Sequence, residues 1–213
     1  MKYKAIIFDL DGTLVHTLSE YRYTLVSKVL KEFGLQATKR DIDTFWFEGA
    51  RDAIIEKRFG LTPKEFWNMF RIHDDSKLRA QYTKPYADVK AISELKTKGF
   101  LIGIVTGAPT HIAELEINLI GKEYFDCIIC AHEDNGFKIK PDPHGIIECM
   151  KKLGVNNKEA VYVGNAEEDI EAARNAKVLD ILIDRDEHAI TQIKPTFEIK
   201  SLNELYSIIN KNI

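Results

Sequence analysis

The sequence predicts an α/β protein, a mostly parallel sheet interrupted after its first strand by an all-helical insert. Three observations predict it. Five apolar runs of strand length, 4–9, 100–105, 126–131, 160–163 and 179–183, are continuous rather than alternating, as parallel strands covered on both faces require. Helical patterns at 86–98, 109–120, 143–153 and 167–176 accompany the last four runs, and such alternation implies right-handed parallel crossovers. The first two runs lie about 90 residues apart, far beyond the roughly dozen residues one crossover needs.

The first run, Ala5-Ile6-Ile7-Phe8, ends in Asp9-Leu10-Asp11-Gly12-Thr13. Gly12 and Thr13 break the apolar pattern, so both carboxylates sit at the strand's carboxyl end, where open α/β sheets place their ligands. Two close acids resist being charged together without a cation. They read as a metal site, or as a nucleophile beside a proton donor.

The long gap follows. Segments 17–34, 38–47, 50–59 and 63–81 read as amphipathic helices punctuated by Gly34, Gly49 and Gly60. Thr62 is a good N-cap, with Pro63 in the first turn. No strand signal interrupts them. The insert is about 70 residues long, 15–84, between core segments 1–14 and 85–213. Its aromatics Phe45, Trp46, Phe47, Phe66, Trp67 and Phe70 are expected to form a small core of its own.

Three more chemistry-bearing segments stand at strand ends. Ile104-Val105-Thr106-Gly107-Ala108 presents a hydroxyl and then small residues. Lys138-Ile139-Lys140-Pro141-Asp142-Pro143 holds a lysine fixed by prolines ahead of a helix. Val161-Tyr162-Val163-Gly164-Asn165-Ala166-Glu167-Glu168-Asp169 runs into an acidic turn. Together the four segments supply a phosphoryl-transfer kit. It has an attacking carboxylate, a proton-shuttling carboxylate, and a hydroxyl, a lysine and backbone amides for phosphate oxygens. Acidic residues can seat Mg²⁺.

The remaining signals are structural. Cys127 and Cys130 form a C-x-x-C inside a strand-like run. Redox pairs normally open a helix, and strand positions three apart face opposite sides, so these are structural cysteines. His132, Glu133 and Asp134 match no zinc spacing. A short run near 196–199 is a candidate sixth strand.

Bulk properties bound the function. The 213 residues are 30% charged with a net charge of −3, which gives no reason to expect nucleic acid binding. No apolar run approaches the roughly 20 residues of a membrane span. Met1-Lys2-Tyr3-Lys4 leads straight into the first strand without a signal-peptide apolar region, so a cytoplasmic monomer or homodimer acting on a small molecule is expected.

The four motifs, in order and with the insert after the first, resemble the haloacid dehalogenase superfamily. The resemblance spans essentially the whole chain and is strongest to the branch with a helical cap, the phosphoglycolate phosphatase and β-phosphoglucomutase-like group. It implies a Rossmann-like sheet of order 5-4-1-2-3. It also implies Mg²⁺-dependent hydrolysis of a small phosphomonoester through an aspartyl-phosphate. By position, Asp9 would be nucleophile and metal ligand. Asp11 would be the general acid/base, with its carbonyl on the metal. Gly12, Thr13, Thr106 and Gly107 would bind the phosphate, and Lys140 would pair with Asp9 and the phosphate. The second acid disfavours dehalogenation and phosphonate hydrolysis, which do not use it in this way.

Two positions depart from the family pattern. Asn165 stands where Asp is usual; it keeps a coordinating carbonyl oxygen and loses a charge. Asp169 is expected to compensate as a metal ligand, the alternative being a helix-face carboxylate paired with a nearby Arg or Lys. His16 replaces an acid, and reads either as a substrate contact at the cap hinge or as a polar surface residue. Lys138 reads as a solvated loop charge. In the cap, Glu48-Gly49-Ala50-Arg51 is the candidate specificity loop, with Arg51 either binding an anionic leaving group or starting a helix at the surface; Arg22 and Arg58 are weaker candidates. Two other functions fit the motifs: a sugar phosphomutase of the β-phosphoglucomutase kind, and a weakly active or non-catalytic phosphate-ligand binder on account of Asn165.

Overall fold

The computed structural model describes residues 2–48, 50–74, 76–186 and 193–211. The chain divides into two compact units, Met1–His16 with Pro85–Ile213, and Thr17–Lys84.

Strand β1 (Ala5–Phe8) begins the first unit, and β2 (Val15–Thr17) leads out of it. The second unit comprises α1 (Ser19–Glu32), α2 (Lys39–Phe47), α3 (Arg51–Ile54), α4 (Pro63–His73) and α5 (Ser76–Tyr82). α3 continues as a π-turn over Ile55–Phe59. The N-termini of α2 and α4 are closed by capping boxes, Thr38 with Asp41 and Thr62 with Glu65, and Pro63 follows Thr62. Phe45 and Phe66 lie at the buried centre with Tyr21, Leu25, Ile55 and Phe59, and Trp46, Trp67 and Phe70 pack against them. The Phe45 and Phe66 centroids are 5.0 Å apart, edge to face. Phe47 instead lies under the Arg22 guanidinium. Two details of this unit differ from expectation. The segment 63–81 is not one helix: Asp74 leaves the helical region, with ψ at 74°, and its carboxylate accepts from the Tyr21 hydroxyl. The turn before α3 takes its left-handed residue at Ala50, with φ of 58°. Gly49 lies outside the described residues.

Strand β3 (Thr83–Pro85) pairs with β2 as a two-stranded sheet. Neither short strand has an apolar pattern, which is why neither was expected. The first unit resumes with α6 (Ala91–Thr97), β4 (Leu101–Thr106), α7 (Thr110–Ile120) and β5 (Cys127–Cys130). It ends with α8 (His144–Leu153), β6 (Ala160–Gly164), α9 (Glu167–Asn175), β7 (Leu179–Ile183), β8 (Phe197–Ile199) and α10 (Leu205–Lys211), the last unanticipated. Within 86–98 only the α6 residues form regular helix.

The six-stranded sheet has the order β5-β4-β1-β6-β7-β8, with all neighbouring strands parallel. This is the expected 5-4-1-2-3 order with the sixth strand added beside the fifth. Alternate residues of β1 serve opposite layers. Ile6 and Phe8 pack with Ile92, Leu95, Ile117 and Leu205 of α6, α7 and α10. Ala5 and Ile7 pack with Ile146, Cys149, Ala172 and Ala173 of α8 and α9. Both faces are therefore buried, which explains the unbroken apolar runs. Cys127 points to the second layer and Cys130 packs against the first. No described helix is long and apolar enough to cross a membrane.

Candidate active site

β1 and β6 are neighbours, with Phe8 opposite Val163. Their carboxyl ends bring Asp9 and Asn165 together, at the point where the strand order reverses. The Asp9 amide donates to the Val163 carbonyl at 2.9 Å, which carries the ladder one residue past β1.

The chain then folds on itself. The Leu10 carbonyl accepts from the amides of Thr13, Leu14 and Val15, and the Gly12 amide donates to the Val15 carbonyl at 2.7 Å. Gly12 has φ of +81°, and a Cβ there would lie 2.2 Å from Asn165 Nδ2. Both facts demand glycine. Asp11 is half-buried and bridges to Val15 along the backbone. The fully buried Thr13 hydroxyl lies 3.2 Å from Asp9 Oδ2 and 3.1 Å from Asn165 Oδ1. Its side chain positions two site residues rather than facing outward.

Lys140, joined to Pro141 by a cis peptide bond, brings the ammonium. Its Nζ donates to Asp9 Oδ1 at 2.6 Å and to Asp169 Oδ1 at 2.6 Å, and its side chain is 7% exposed. Burial alone would lower this ammonium's pKa, but Asp169 and Asp9 carry it well above the ordinary lysine range. Burial acts the other way on Asp9. It raises the carboxyl to about 7, against the pull of Lys140 and with a further push from Asp169. Lys138 is exposed, 3.5 Å from Asp142.

Of its two expected readings, the pairing of Asp169 with a lysine is what is observed, at Lys140. Beyond Lys140, its Oδ2 accepts from the amides of Asn165 and Ala166 at 3.1 and 3.0 Å. Tyr162 Oη lies 3.2 Å from its Oδ1. Both oxygens are thus engaged with the lysine, the turn and the tyrosine. Gly164 makes room for it, since a Cβ there would lie 2.3 Å from Asp169 Cγ. Tyr162 joins the site through Asp169 although in sequence it sits inside an ordinary apolar strand, with nothing to set it apart. Burial pushes its hydroxyl well above the ordinary range, so it stays protonated.

Thr106 ends β4, buried, with its hydroxyl accepting from the Ala108 amide at 3.1 Å. A Cβ on Gly107 would meet nothing within 4 Å. The other predicted residues have different surroundings. Arg51 belongs to the second unit, where its guanidinium donates to the Trp46 carbonyl at 3.2 Å and lies over the Phe45 ring. Arg22 pairs with Asp43 at 2.6 Å and Arg58 with Asp41 at 2.7 Å. His16 stacks on Tyr86 at 4.8 Å.

Among the described residues no three His, Cys, Asp or Glu side chains group as a metal site. The donors that do converge are oxygens: Asp9 Oδ2 and Asn165 Oδ1 both lie within 3.2 Å of the Thr13 hydroxyl. This set fits a hard cation that keeps several waters and takes few protein ligands.

Comparison with known proteins gives the family. Residues 6–183 match the model of the haloacid dehalogenase-like hydrolases. The chain belongs to this hydrolase family. Its relatives in the family include a phosphoglycolate phosphatase of Aquifex aeolicus, 28% identical over 99% of this chain and 98% of its own. A pyrophosphatase, PpaX, of Halalkalibacterium halodurans is 27% identical over 98% of each chain. The crystal structure of a family phosphatase from Thermococcus onnurineus superposes with a TM-score of 0.72 at 24% identity, covering 97% of both chains. The chain is an enzyme of the family's phosphatase kind.

Proposed function

We propose that the protein hydrolyses a small phosphomonoester through an aspartyl-phosphate formed on Asp9. The observation that carries the reading is the buried triad of Asp9, Lys140 and Asp169, in which one ammonium serves two carboxylates at 2.6 Å each. A lysine so placed opposes the rise that burial imposes on the Asp9 carboxyl and lessens the repulsion of an incoming phosphate dianion. A purely structural site would do as well with apolar side chains.

The steps follow from the donors and acceptors present. An Asp9 oxygen attacks phosphorus and forms the O–P bond, while the ester P–O bond breaks. Protonated Asp11 gives its proton to the departing alkoxide. Asp11, now a carboxylate, takes a proton from water as that water attacks phosphorus, and the aspartyl O–P bond breaks to free Asp9. Lys140, the Thr106 hydroxyl and the Gly107 amide hold the phosphate oxygens, while the Gly12 and Thr13 amides, bonded to the Val15 and Leu10 carbonyls, shape the loop beside them. Asp9, the Asp11 carbonyl and the Asn165 side-chain oxygen would hold Mg²⁺, which supplies charge neutralisation for the phosphate. Asn165 contributes its carbonyl dipole where an acid would contribute a full charge. The helical unit would serve as a cap over the leaving group, with Arg51 its candidate contact, and the enzyme would work in the cytoplasm.

Phosphate release from phosphoglycolate, pyrophosphate and p-nitrophenyl phosphate, with and without Mg²⁺, tests the reading. Mg²⁺-dependent release that vanishes in Asp9→Asn is expected. Undiminished release in Asp9→Asn would overturn the mechanism. Binding of phosphate esters with no turnover across the panel would make the protein a ligand binder instead.

A further inference from the structure

Arg185 lies two residues beyond β7 and plays no part in the chemistry above, yet it reaches the loop that carries the paired acids. Its Nη2 donates to the Thr13 carbonyl at 2.8 Å. Its Nη1 and Nη2 also grip the two Asp88 oxygens at 2.9 and 3.0 Å, a bidentate fork. Its guanidinium carbon stands 3.9 Å from the Tyr86 ring centroid. Tyr86 in turn donates its amide to the Leu14 carbonyl at 3.0 Å and stacks on His16. Asp88 is itself anchored, accepting from the Leu202 amide at 2.9 Å and from the Ser201 hydroxyl at 3.1 Å. One guanidinium therefore ties the loop after β1 to the segments before α6, after β7 and after β8.

We propose that Arg185 is a positioning residue, fixing the Thr13 carbonyl and through it the Thr13 hydroxyl that spans Asp9 and Asn165. The inference rests on the phosphatase reading for its kinetic consequence and on geometry alone for the clamp. The bonds that the Leu10 and Val15 carbonyls accept are internal to the loop and set its shape; its placement on the sheet rests on outside contacts, the Thr13 hydroxyl at Asn165, the Tyr86 amide at the Leu14 carbonyl and Arg185 at the Thr13 carbonyl. The Thr13 carbonyl contact comes from a side chain that is 7% exposed. As a stability device the arrangement is poor. A buried ion pair returns little over an apolar pair of similar volume, and the buried Arg185 Nε has no hydrogen-bond partner, which costs further. What the guanidinium supplies is a rigid planar fork, which a lysine lacks. Asp9 and Asn165 are the proposed side-chain holders of the metal, and both take their register from the one hydroxyl that Arg185 helps to place.

The test is Arg185→Met beside Arg185→Lys, read by amide hydrogen exchange and by steady-state release from p-nitrophenyl phosphate with Mg²⁺. In Arg185→Met, exchange over residues 12–15 should quicken while β1 is unchanged, and kcat should fall by roughly 10- to 100-fold with KM within about threefold. Arg185→Lys, which keeps the charge and loses the fork, should fall between wild type and Arg185→Met in both measurements. Unchanged exchange at residues 12–15, or quickened exchange with unchanged kcat, would overturn the proposal. If wild type releases no phosphate but exchange responds, the phosphatase reading fails and the clamp stands. Should Arg185→Met not fold, Arg185→Lys carries the same comparison against wild type.

Discussion

The carboxyl end of the sheet and the centre of the helical unit bury opposite kinds of side chain. At the carboxyl end of the sheet, Asp9, Lys140, Asp169, Asp88 and Arg185 have side chains at most 12% exposed, each paired with a charged neighbour. The helical unit is centred on Phe45, Phe59 and Phe66, and most of its charged pairs, such as Arg58 with Asp41, lie toward solvent. Burying charge costs several kcal/mol per ion before pairing recovers it, whereas burying phenylalanine contributes about 1.5–3 kcal/mol per side chain. The contrast teaches that the core unit spends stability on chemistry, while the helical unit is built for its own cohesion. Changes in the first should strike turnover, and changes in the second stability or selectivity.

The sharpest break of that contrast is Asp9→Asn, which should lower kcat by about 10³-fold or more while the protein stays folded, read by phosphate release and circular dichroism. Next is Lys140→Ala. It leaves Asp9 and Asp169 as buried carboxylates without a counter-charge and should cost about 3–5 kcal/mol in urea unfolding as well as activity. In the helical unit, Phe66→Ala should cost about 3–5 kcal/mol through the cavity it opens, with kcat in the folded fraction preserved. A loss of kcat matching that of Lys140→Ala would erase the distinction.

A finer test uses pH. Asp9 is raised from 3.8 to about 7, so between those values the native state holds a proton that the unfolded chain has released. Metal-free stability should therefore fall as pH rises across that window, by up to about 1.4 kcal/mol per unit, and Asp9→Asn should flatten the slope. Asp88 and Asp126 behave oppositely. Burial works against their charged forms, but Arg185 and Lys96 with backbone amides hold both carboxyls below the usual range. Their contribution is lost only as pH falls below about 4. The smallest effect belongs to Arg51→Ala, which should change stability by within about 0.5 kcal/mol and show itself, if at all, in KM for anionic substrates.

Legibility in the sequence followed the range of the interactions. The core strands were readable because burial on two faces leaves an unbroken apolar run, and Asp9, Asp11, Thr106 and Lys140 because each stands at a strand end or beside a proline. The cap of α4 was readable from Thr62 and Pro63 alone. What escaped depends on partners distant in the chain. Asp169 is claimed by Lys140, 29 residues away, and Arg185 by Thr13, 172 residues away. β2 and β3 form by pairing with each other across most of the helical insert, and the helix break at Asp74 reflects the Tyr21 hydroxyl from another helix. Tyr162 carried no signal because a buried strand tyrosine is ordinary until a lysine and an aspartate are found beneath it.

The central claim is that Asp9 becomes covalently phosphorylated. Borohydride reduction during turnover of p-nitrophenyl phosphate, followed by peptide mass spectrometry, would convert an aspartyl-phosphate to homoserine at its own position. The account predicts reduction at Asp9 that depends on substrate and is absent in Asp9→Asn. Turnover with Asp9 unmodified, or reduction at Asp11 instead, would contradict it.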